Sequence, residues 1–389
     1  MRKRLSYEGV AVTVPVTVAY QRYSTHGAHW FLGQALQALL QASGLAKAQI
    51  DGLTVSSFSL APDTAVGVTQ HLGLSPRWLD HIPTGGASGV MALRRAARAV
   101  QSGDAEVVAC VAADTNHVDS FRQTLGSFSD FARDASYPYG SGGPNSIFAF
   151  ITANYMRRHG ARREDFGRIA VAQRTNALLN PNSLFTKPLT LDEYMAARPI
   201  AAPIHLFDCV MPCAGAEAFL VMSVERARDL GLPHVVLRGA IERHNAFADD
   251  PVMERGGWLV DRDDLYAQAD VAPAAIDLIQ TYDDYPVIAM MQFEDLGFCD
   301  KGEGPAFVRA HELSWAGDFP NNTGGGQLSS GQAGAAGGFI GMTETIRQLT
   351  DQAGARSVAG AQTALVAGFG MVTYDRCLCT GAVILARPS

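Results

Sequence analysis

The apolar positions of the chain recur with two different periods, which predicts alternating strands and helices. Residues 105–114 form a nearly continuous apolar run, as expected for a strand that is covered on both faces of a sheet. Residues 31–43 carry apolar side chains at helical spacing and stop before Gly44. The same criteria predict helices at 90–101, 144–160 and 163–180 and strands at 50–59, 216–223 and 233–244. The pattern is therefore that of an α/β protein.

One βα unit occurs twice in the chain. Residues 44–57 and 270–284 each contain an Ile-Asp pair that leads into a predicted strand. Each is followed, further along, by a glycine-rich turn that opens a helix, at 85–89 and at 324–338. An apolar strand then follows each helix, at 364–370 in the second copy. Two copies of one unit indicate two pseudo-repeated halves of a single architecture.

The repeat predicts a pseudo-twofold, five-layer αβαβα fold. We expect the N-terminal half at residues 1–230, with an inserted loop region at about 115–205. The C-terminal half then comprises residues 231–389.

Composition limits the class of protein. The 389 residues are 47% hydrophobic and 18% charged, so a large core is expected rather than disorder. The net charge is −7 and no basic stripe is present, which argues against nucleic-acid binding. The six cysteines contain no CxxC pair, so neither a zinc site nor a disulfide framework is expected. With no signal peptide and no apolar run long enough to span a membrane, we expect a reduced, cytoplasmic protein.

Several motifs in both halves resemble those of the thiolase superfamily. They are GGASGVMALRRAARAVQSGDAEVV, AGAEAFLVMS, NNTGGGQLSSGQAGAAGG and ALVAGFG, and they extend over nearly the whole chain. Two more, EDLGFCDKGEG and SYPYG, are similar to the sterol-carrier and lipid-transfer-protein branch, which includes aldolases that shorten steroid side chains as CoA esters. The resemblance implies a thiolase-like fold and a CoA thioester as substrate.

The residues that a thiolase needs for acyl transfer are missing at the matching positions. The resemblance places the nucleophilic cysteine at Gly86, at the start of a helix. It places the basic histidine at Gln332, which cannot act as a base but can donate a hydrogen bond. The third signature, a Cys-x-Gly, matches 368–370 and also lacks its thiol. Ser88 stands near the missing nucleophile, and we interpret it as a helix cap.

The segment TYDDYP (281–286) resembles the Tyr-Asp-His-Phe motif of the aldolases. The resemblance implies that Tyr282 removes the proton of a β-hydroxyl group, with Asp283 as its orienting partner. A phenol has a pKa near 10, so Tyr282 needs a lowered pKa or a proton chain to act as a base at pH 7. We expect Gln332 and backbone amides of glycine turns to hold the thioester enolate, the glycines being Gly325, Gly326, Gly368 and Gly370. The donor of the α-proton stays open between Tyr374, Tyr139 and water.

The leading hypothesis is retro-aldol cleavage of a β-hydroxyacyl-CoA with a bulky hydrophobic acyl group. This reaction forms no acyl-enzyme and therefore needs no cysteine. One alternative is a non-catalytic subunit that binds acyl-CoA or lipid. The other is an acyltransferase whose nucleophile has moved to Cys377 or Cys379, although free cysteines are usually buried for structural reasons.

The resemblance also implies partners. Thiolases pair as homodimers, and the aldolase branch associates with a small protein of zinc-ribbon and OB-fold type. We expect no metal and no cofactor beyond the CoA that the substrate carries, and no nucleic-acid partner or membrane span.

Overall fold

The computed structural model describes residues 6–116, 130, 134, 137–140 and 143–388. The SYPYG motif at 136–140 lies partly outside the described residues. The described strands are β1 (Val10–Gln21), β2 (Gly52–Ser56), β3 (Trp78–His81), β4 (Val107–Thr115), β5 (Pro199–Ala201), β6 (Ile204–His205), β7 (Ala214–Ser223), β8 (His234–His244), β9 (Leu278–Gln280), β10 (Thr363–Thr373) and β11 (Arg376–Ala386).

The described helices longer than one 3₁₀ turn are α1 (Ala28–Ser43), α2 (Ala65–Leu72), α3 (Ser88–Ser102), α4 (Pro144–His159), α5 (Arg163–Ala177), α6 (Leu191–Met195), α7 (Val224–Asp229), α8 (Trp258–Ala269), α9 (Pro286–Asp295), α10 (Gly304–Ala310), α11 (Gly326–Ser330) and α12 (Ile340–Leu349). Short 3₁₀ segments at Gly85–Ala87 and Gly334–Phe339 precede α3 and α12. Among these described helices, none combines the length and the apolar character that crossing a membrane requires.

Nine strands form one mixed sheet whose order repeats in the two halves. The order is β3-β2-β4-β7-β1-β8-β11-β10-β9. In the first half β4 pairs in parallel with β2 and antiparallel with β7, and in the second half β10 pairs in the same way with β9 and β11. In the second half, a parallel bridge joins Ile279 of β9 to Asn321. It takes the place that the pairing of β2 with β3 has in the first half. The predicted duplication of one architecture is confirmed.

The two halves join in the middle of the sheet, where β1 and β8 pair over Ala11, Val12 and Thr13. The predicted boundary at 230/231 falls between α7 and β8. In its described residues, the predicted inserted region at about 115–205 contains the helices α4 to α6 and the small β5-β6 hairpin. This region contributes Asn116, Pro144, Asn145, Arg198 and Ile200 to the lining of the cavity described below.

The five layers follow from the alternation of side chains along the strands. In β4, Val107 and Val111 face a core that they share with α1, whereas Val108 and Cys110 face a central core that they share with α3. The central core also contains residues of α12 and of both halves of the sheet. A third core lies between the second half of the sheet and the outer helices α4, α5, α8 and α9.

Glycines allow the central helices to meet backbone to backbone. A Cβ atom at Gly89 would lie 2.1 Å from the carbonyl oxygen of Gly338, and one at Gly338 would lie 2.7 Å from that of Gly86. Side chains at these positions would push the two glycine-rich turns apart. The close contact brings the turn before α3 next to the loop that carries Gln332, and so it assembles the candidate site.

Candidate active site

The aromatic ring of Tyr282 lies directly over Gly86. A Cβ atom at Gly86 would be 1.9 Å from Cε2 and 2.0 Å from Cζ of Tyr282, and 2.4 Å from the carbonyl oxygen of Phe369. No side chain fits there, because real Cβ atoms do not approach other atoms so closely. The space that a nucleophilic cysteine would need is therefore filled by a phenol.

Tyr282 is held from its backbone and from its ring. Its backbone N–H donates to Oε1 of Gln292 at 3.0 Å, and Nε2 of Gln292 donates back to its carbonyl oxygen at 2.7 Å. The ring stacks on Phe369 with a centroid distance of 5.9 Å and an interplanar angle of 20°. Nε2 of Gln332 donates a hydrogen bond to the hydroxyl oxygen at 3.3 Å. The structure thus brings together Tyr282, Gln332 and Gly86, as the motifs predicted.

Asp283 acts on this site through two glutamines and is not among the described residues that line the cavity. Its carboxylate accepts hydrogen bonds from the backbone N–H groups of Gln327 at 2.9 Å and Leu328 at 3.2 Å, at the start of α11. Oε1 of Gln327 in turn accepts from Nε2 of Gln332 at 3.2 Å. Burial raises the pKa of the Asp283 carboxyl group to about 7, although these amides lower it in part. Within the described residues, the hydrogen bonds that connect Asp283 to the phenol of Tyr282 run through this chain.

Tyr282 does not have the lowered pKa that a basic phenol requires. Burial raises its pKa well above the ordinary value near 10, and the carboxylates of Asp284 and Asp283 raise it further. Gln327 and Gln332 lower it only in part. Of the two conditions under which we expected Tyr282 to act as a base, a lowered pKa or a proton chain, the first is therefore not met. The physical reason is that the described surroundings place acidic groups and no cation against the phenol. A neutral phenol is a hydrogen-bond donor.

The site opens into a cavity of about 570 Å³. Its wall is formed by residues of both halves, including Gly86, Asn145, Tyr282 and Gln332. Most of the remaining lining side chains are apolar, among them Phe58, Ile200, Leu206, Val210, Met211, Pro212, Phe369, Met371 and Val372. A cavity of this size and character suits a bulky hydrophobic ligand held by a few polar groups.

Sequence reasoning missed Asp284, the one carboxylate among the described residues that line this cavity. The residue is 9% exposed, and its Oδ1 atom is buried without a hydrogen-bond partner in the described part of the chain. Burial raises the pKa of its carboxyl group well above the ordinary value, and the neighbouring charge of Asp283 adds to this effect. The motif TYDDYP contained the signal, because a carboxylate stands there at the histidine position of the aldolase motif.

A second tyrosine, Tyr285, was also missed. Its hydroxyl group donates to Oδ1 of Asn145 at 2.5 Å, and its ring stacks on Phe148 with centroids 4.1 Å apart. These contacts tie the start of α9 to the start of α4 and so close one side of the cavity. Burial raises the pKa of Tyr285 well above its usual value.

Of the four glycines expected to hold an enolate, only Gly370 lines the cavity. The backbone N–H of Gly325 already donates to the carbonyl oxygen of Asn322 at 2.7 Å. A Cβ atom at Gly326 would meet Oδ2 of Asp283 at 2.1 Å, and one at Gly368 would meet Cα of Ala87 at 2.9 Å. The structure therefore gives Gly325, Gly326 and Gly368 a packing role, in place of the expected contact with substrate.

The residues considered as α-proton donors lie outside the cavity lining. Tyr139 is 86% exposed, and Tyr374 is 46% exposed in the turn between β10 and β11. Ser88 is also not the expected cap, because it is the first residue of α3 and its hydroxyl group donates to the carbonyl oxygen of Ile82 at 3.1 Å.

Cys377 and Cys379 are buried and lie outside the cavity lining. The thiol of Cys377 donates to the carbonyl oxygen of Gly370 at 3.0 Å, and burial raises its pKa well above the usual value. Burial raises the pKa of Cys379 to about 12. Cys209 does line the cavity, but burial likewise raises its pKa to about 12. Thiols in this state are poor nucleophiles, which argues against a relocated nucleophile.

Comparison with known proteins defines the class first. A family model described as thiolase C-terminal domain-like matches residues 242–382. The structure also superimposes on a human mitochondrial 3-ketoacyl-CoA thiolase with a TM-score of 0.70, covering 99% of this chain and all of the other, at 14% identity. The chain is a thiolase-fold protein, as predicted.

The nearer relatives define the family. A steroid side-chain-cleaving aldolase of Thermomonospora curvata is 32% identical over 336 residues, which cover 81% of this chain and 83% of the relative. A 17-hydroxy-3-oxo-4-pregnene-20-carboxyl-CoA lyase of Mycobacterium tuberculosis is 33% identical over 362 residues, which cover 87% and 92%. The solved structure of an Ltp2-ChsH2(DUF35) aldolase superimposes with a TM-score of 0.84 at 27% identity, covering 97% of this chain and 98% of that one. The chain belongs to the thiolase superfamily and, within it, to the family of these aldolases.

Proposed function

We propose that this protein is a carbon–carbon lyase that cleaves a β-hydroxyacyl-CoA thioester by a retro-aldol reaction. The observation that carries the proposal is the phenol of Tyr282 in the space that a nucleophile at position 86 would need. A site built in this way cannot form an acyl-enzyme through residue 86. The aldolase and lyase relatives support the same reaction class.

The reaction needs three things from the protein. The proton of the β-hydroxyl group must leave, the electrons of the Cα–Cβ bond must be accepted by the thioester carbonyl, and Cα must receive a proton. Tyr282 suits the second task, because a neutral phenol donates a hydrogen bond to an oxygen that becomes negative. Both amide hydrogens of Gln332 point to protein oxygens, on Tyr282 and Gln327, so Gln332 acts by holding the phenol.

The cavity suggests the class of acyl group. Its predominantly apolar wall and volume of about 570 Å³ favour a bulky hydrophobic group over a short acyl chain. The CoA moiety is part of the substrate, and the mechanism requires no further cofactor.

We also propose two protein partners. The relative with a solved structure is named as an Ltp2-ChsH2(DUF35) aldolase, which supports a small partner protein of zinc-ribbon and OB-fold type for this chain as well. The second partner is another copy of the chain, which would add strands beside β3, the last strand of the described sheet on that side.

The test is a product analysis with the small partner protein present. A β-hydroxyacyl-CoA with a bulky alicyclic acyl group should yield equal amounts of a carbonyl compound and a shortened acyl-CoA, measured by mass spectrometry. Binding of the substrate without either product would favour the alternative of a non-catalytic binding subunit. A stoichiometric acyl group left on the denatured chain would favour the acyltransferase alternative.

A further inference from the structure

Asp284 stands apart from the other buried carboxylates that border the site. Asp114, at the end of β4, accepts hydrogen bonds from Ser57, Phe58, Ser59 and Ala335 and anchors two loops of the cavity wall. Asp283 accepts two backbone N–H groups of α11. Oδ1 of Asp284 has no partner in the described structure, although it is buried and its residue lines the cavity.

A buried carboxylate oxygen without a hydrogen-bond partner costs free energy, and such costs are concentrated at functional sites. The other described ionisable residues that line the cavity are less suited to accept a proton. The phenols Tyr282 and Tyr285 and the thiol of Cys209 are protonated at neutral pH, because burial raises the pKa of each. Arg198 is a permanent cation.

Resting on the retro-aldol function proposed above, we propose that Asp284 is the proton acceptor of the reaction and that it also supplies the α-proton. Oδ1 takes the proton of the β-hydroxyl group, and the electrons of that O–H bond form the carbonyl of the departing fragment. The Cα–Cβ bond breaks, and its electrons pass to the thioester, whose oxygen is held by Tyr282.

The same carboxyl group then completes the reaction. The O–H bond on Asp284 breaks, its proton is transferred to Cα of the enolate, and the carboxylate is restored. One proton moves from the β-hydroxyl group to Cα, so atoms and electrons balance without an oxidant, a reductant or a metal ion. With this assignment the reaction needs no separate donor such as Tyr374 or Tyr139.

The surroundings of Asp284 tune it for this task. The ionisable groups that face it are Tyr282, Asp283, Tyr285, Cys209 and Cys377. None of them is a cation. Burial and the charge of Asp283 raise the pKa of the Asp284 carboxyl group well above its usual value, and backbone N–H groups of Asp284 and Tyr285 lower it only in part. The ionised form is the active one. Activity should therefore rise with pH as this group loses its proton, above the range near 3.9 where an exposed aspartate titrates.

The test compares Asp284→Asn with Glu217→Gln, both with the small partner protein present. Glu217 is a matched control, because it is a buried carboxylate with a raised pKa that lies outside the cavity lining. Asp284→Asn should lower kcat at least about 100-fold and change the dissociation constant of the acyl-CoA less than about threefold. In a plot of kcat/KM against pH, the fall in activity on the acidic side should disappear in Asp284→Asn and persist in Glu217→Gln.

Stability gives a second readout. Asp284→Asn removes the cost of a buried unpaired charge, so its thermal midpoint at pH 7 should equal or exceed that of the wild type. A structural carboxylate would give the opposite result. Two results would overturn the proposal. One is a folded Asp284→Asn protein with wild-type turnover. The other is an acidic limb of the kcat/KM pH profile that persists in Asp284→Asn because Asp283 causes it.

A third measurement separates this proposal from the function on which it rests. In D₂O, the wild type should exchange the α-hydrogens of acetyl-CoA for deuterium, and Asp284→Asn should not. If the wild type exchanges these hydrogens but never cleaves a β-hydroxyacyl-CoA, the lyase function fails and the proton-transfer role of Asp284 stands. If the wild type cleaves its substrate and Asp284→Asn exchanges at the wild-type rate, the role of Asp284 is refuted and the lyase function stands.

Discussion

Tyr282 occupies the space that any side chain at Gly86 would enter, and the two residues therefore constrain each other. The ring lies within 2.0 Å of the Cβ position at residue 86, and the ring is itself fixed by Phe369 and Gln332. The absence of a nucleophile at residue 86 and the presence of a phenol at residue 282 therefore depend on each other. A thiol at residue 86 and a tyrosine at residue 282 exclude each other in this backbone.

This relationship predicts the effect of Gly86→Ala. The added methyl group must displace Tyr282 or the strand at Phe369, so the free energy of unfolding should fall by about 1–3 kcal/mol. Turnover should fall as well, because the phenol leaves its place. Urea unfolding and the lyase assay measure the two effects.

Gly33→Ala is the matched control for that variant. Gly33 lies inside α1, and a Cβ atom there would meet only Leu72 at an ordinary 3.7 Å. This variant should gain about 0.4–1 kcal/mol of stability with unchanged turnover. Equal behaviour of the two alanine variants would show that Tyr282 does not constrain residue 86.

The sequence predicted the elements whose apolar periods were clear, among them α1, α3, β4 and β7. It missed α9, in which all ten residues are buried, so that no polar face marks a helical period. It also missed β1, where Pro15 interrupts the run. The structure accommodates that proline at a bulge, next to Val14 with a φ of 53° and a register shift between Thr13 and Val16.

The candidate site was predictable only in part. Motifs located Gly86, Tyr282 and Gln332, which the structure brings together. The sequence could not show which of two adjacent aspartates faces the cavity, because successive residues after a strand point in different directions. Nor could it show the raised pKa of Tyr282, which depends on burial and on both aspartates.

No covalent acyl-enzyme should form. Incubation with radiolabelled acetyl-CoA followed by denaturation should leave no stoichiometric label, because Cys209, Cys377 and Cys379 all have raised pKa values. A thiolase with its active cysteine, labelled in parallel, provides the positive control. Recovery of one acyl group per chain on any of these three cysteines would contradict the prediction.

The chain should sediment as a homodimer. The edge strand β3 has four residues, and no described strand pairs with its outer side, so it can accept a strand from a second copy. Analytical ultracentrifugation at micromolar concentration should give twice the 41.4 kDa mass of one chain. A single species at 41.4 kDa across a hundredfold concentration range would rule the dimer out.

Stability should depend on pH through Asp283. The folded-state pKa of this group, about 7, lies above the value near 3.9 expected for the unfolded chain. Its contribution to stability is therefore largest below about pH 4 and is lost as the pH rises through 7. Between those limits the wild type should lose stability relative to Asp283→Asn by an amount on the order of a few kcal/mol. A stability difference between the two proteins that stays constant from pH 4 to 8 would refute this.

Tyr282→Phe tests the residue on which the proposed reaction depends most. The change removes one oxygen and keeps the ring over Gly86 and against Phe369, so folding should survive with a loss of about 1 kcal/mol. Turnover should fall about 100-fold or more, because a donor to the developing negative charge is lost, whereas acyl-CoA affinity should change far less.

Tyr266→Phe is the control. Tyr266 is also buried but lies outside the cavity lining, and this variant loses one hydrogen bond, to the carbonyl oxygen of Leu296. Both variants need the small partner protein in the assay. Normal lyase turnover in Tyr282→Phe would remove the phenol from the mechanism, and an equal loss in both variants would point to a general effect of losing a buried hydroxyl group.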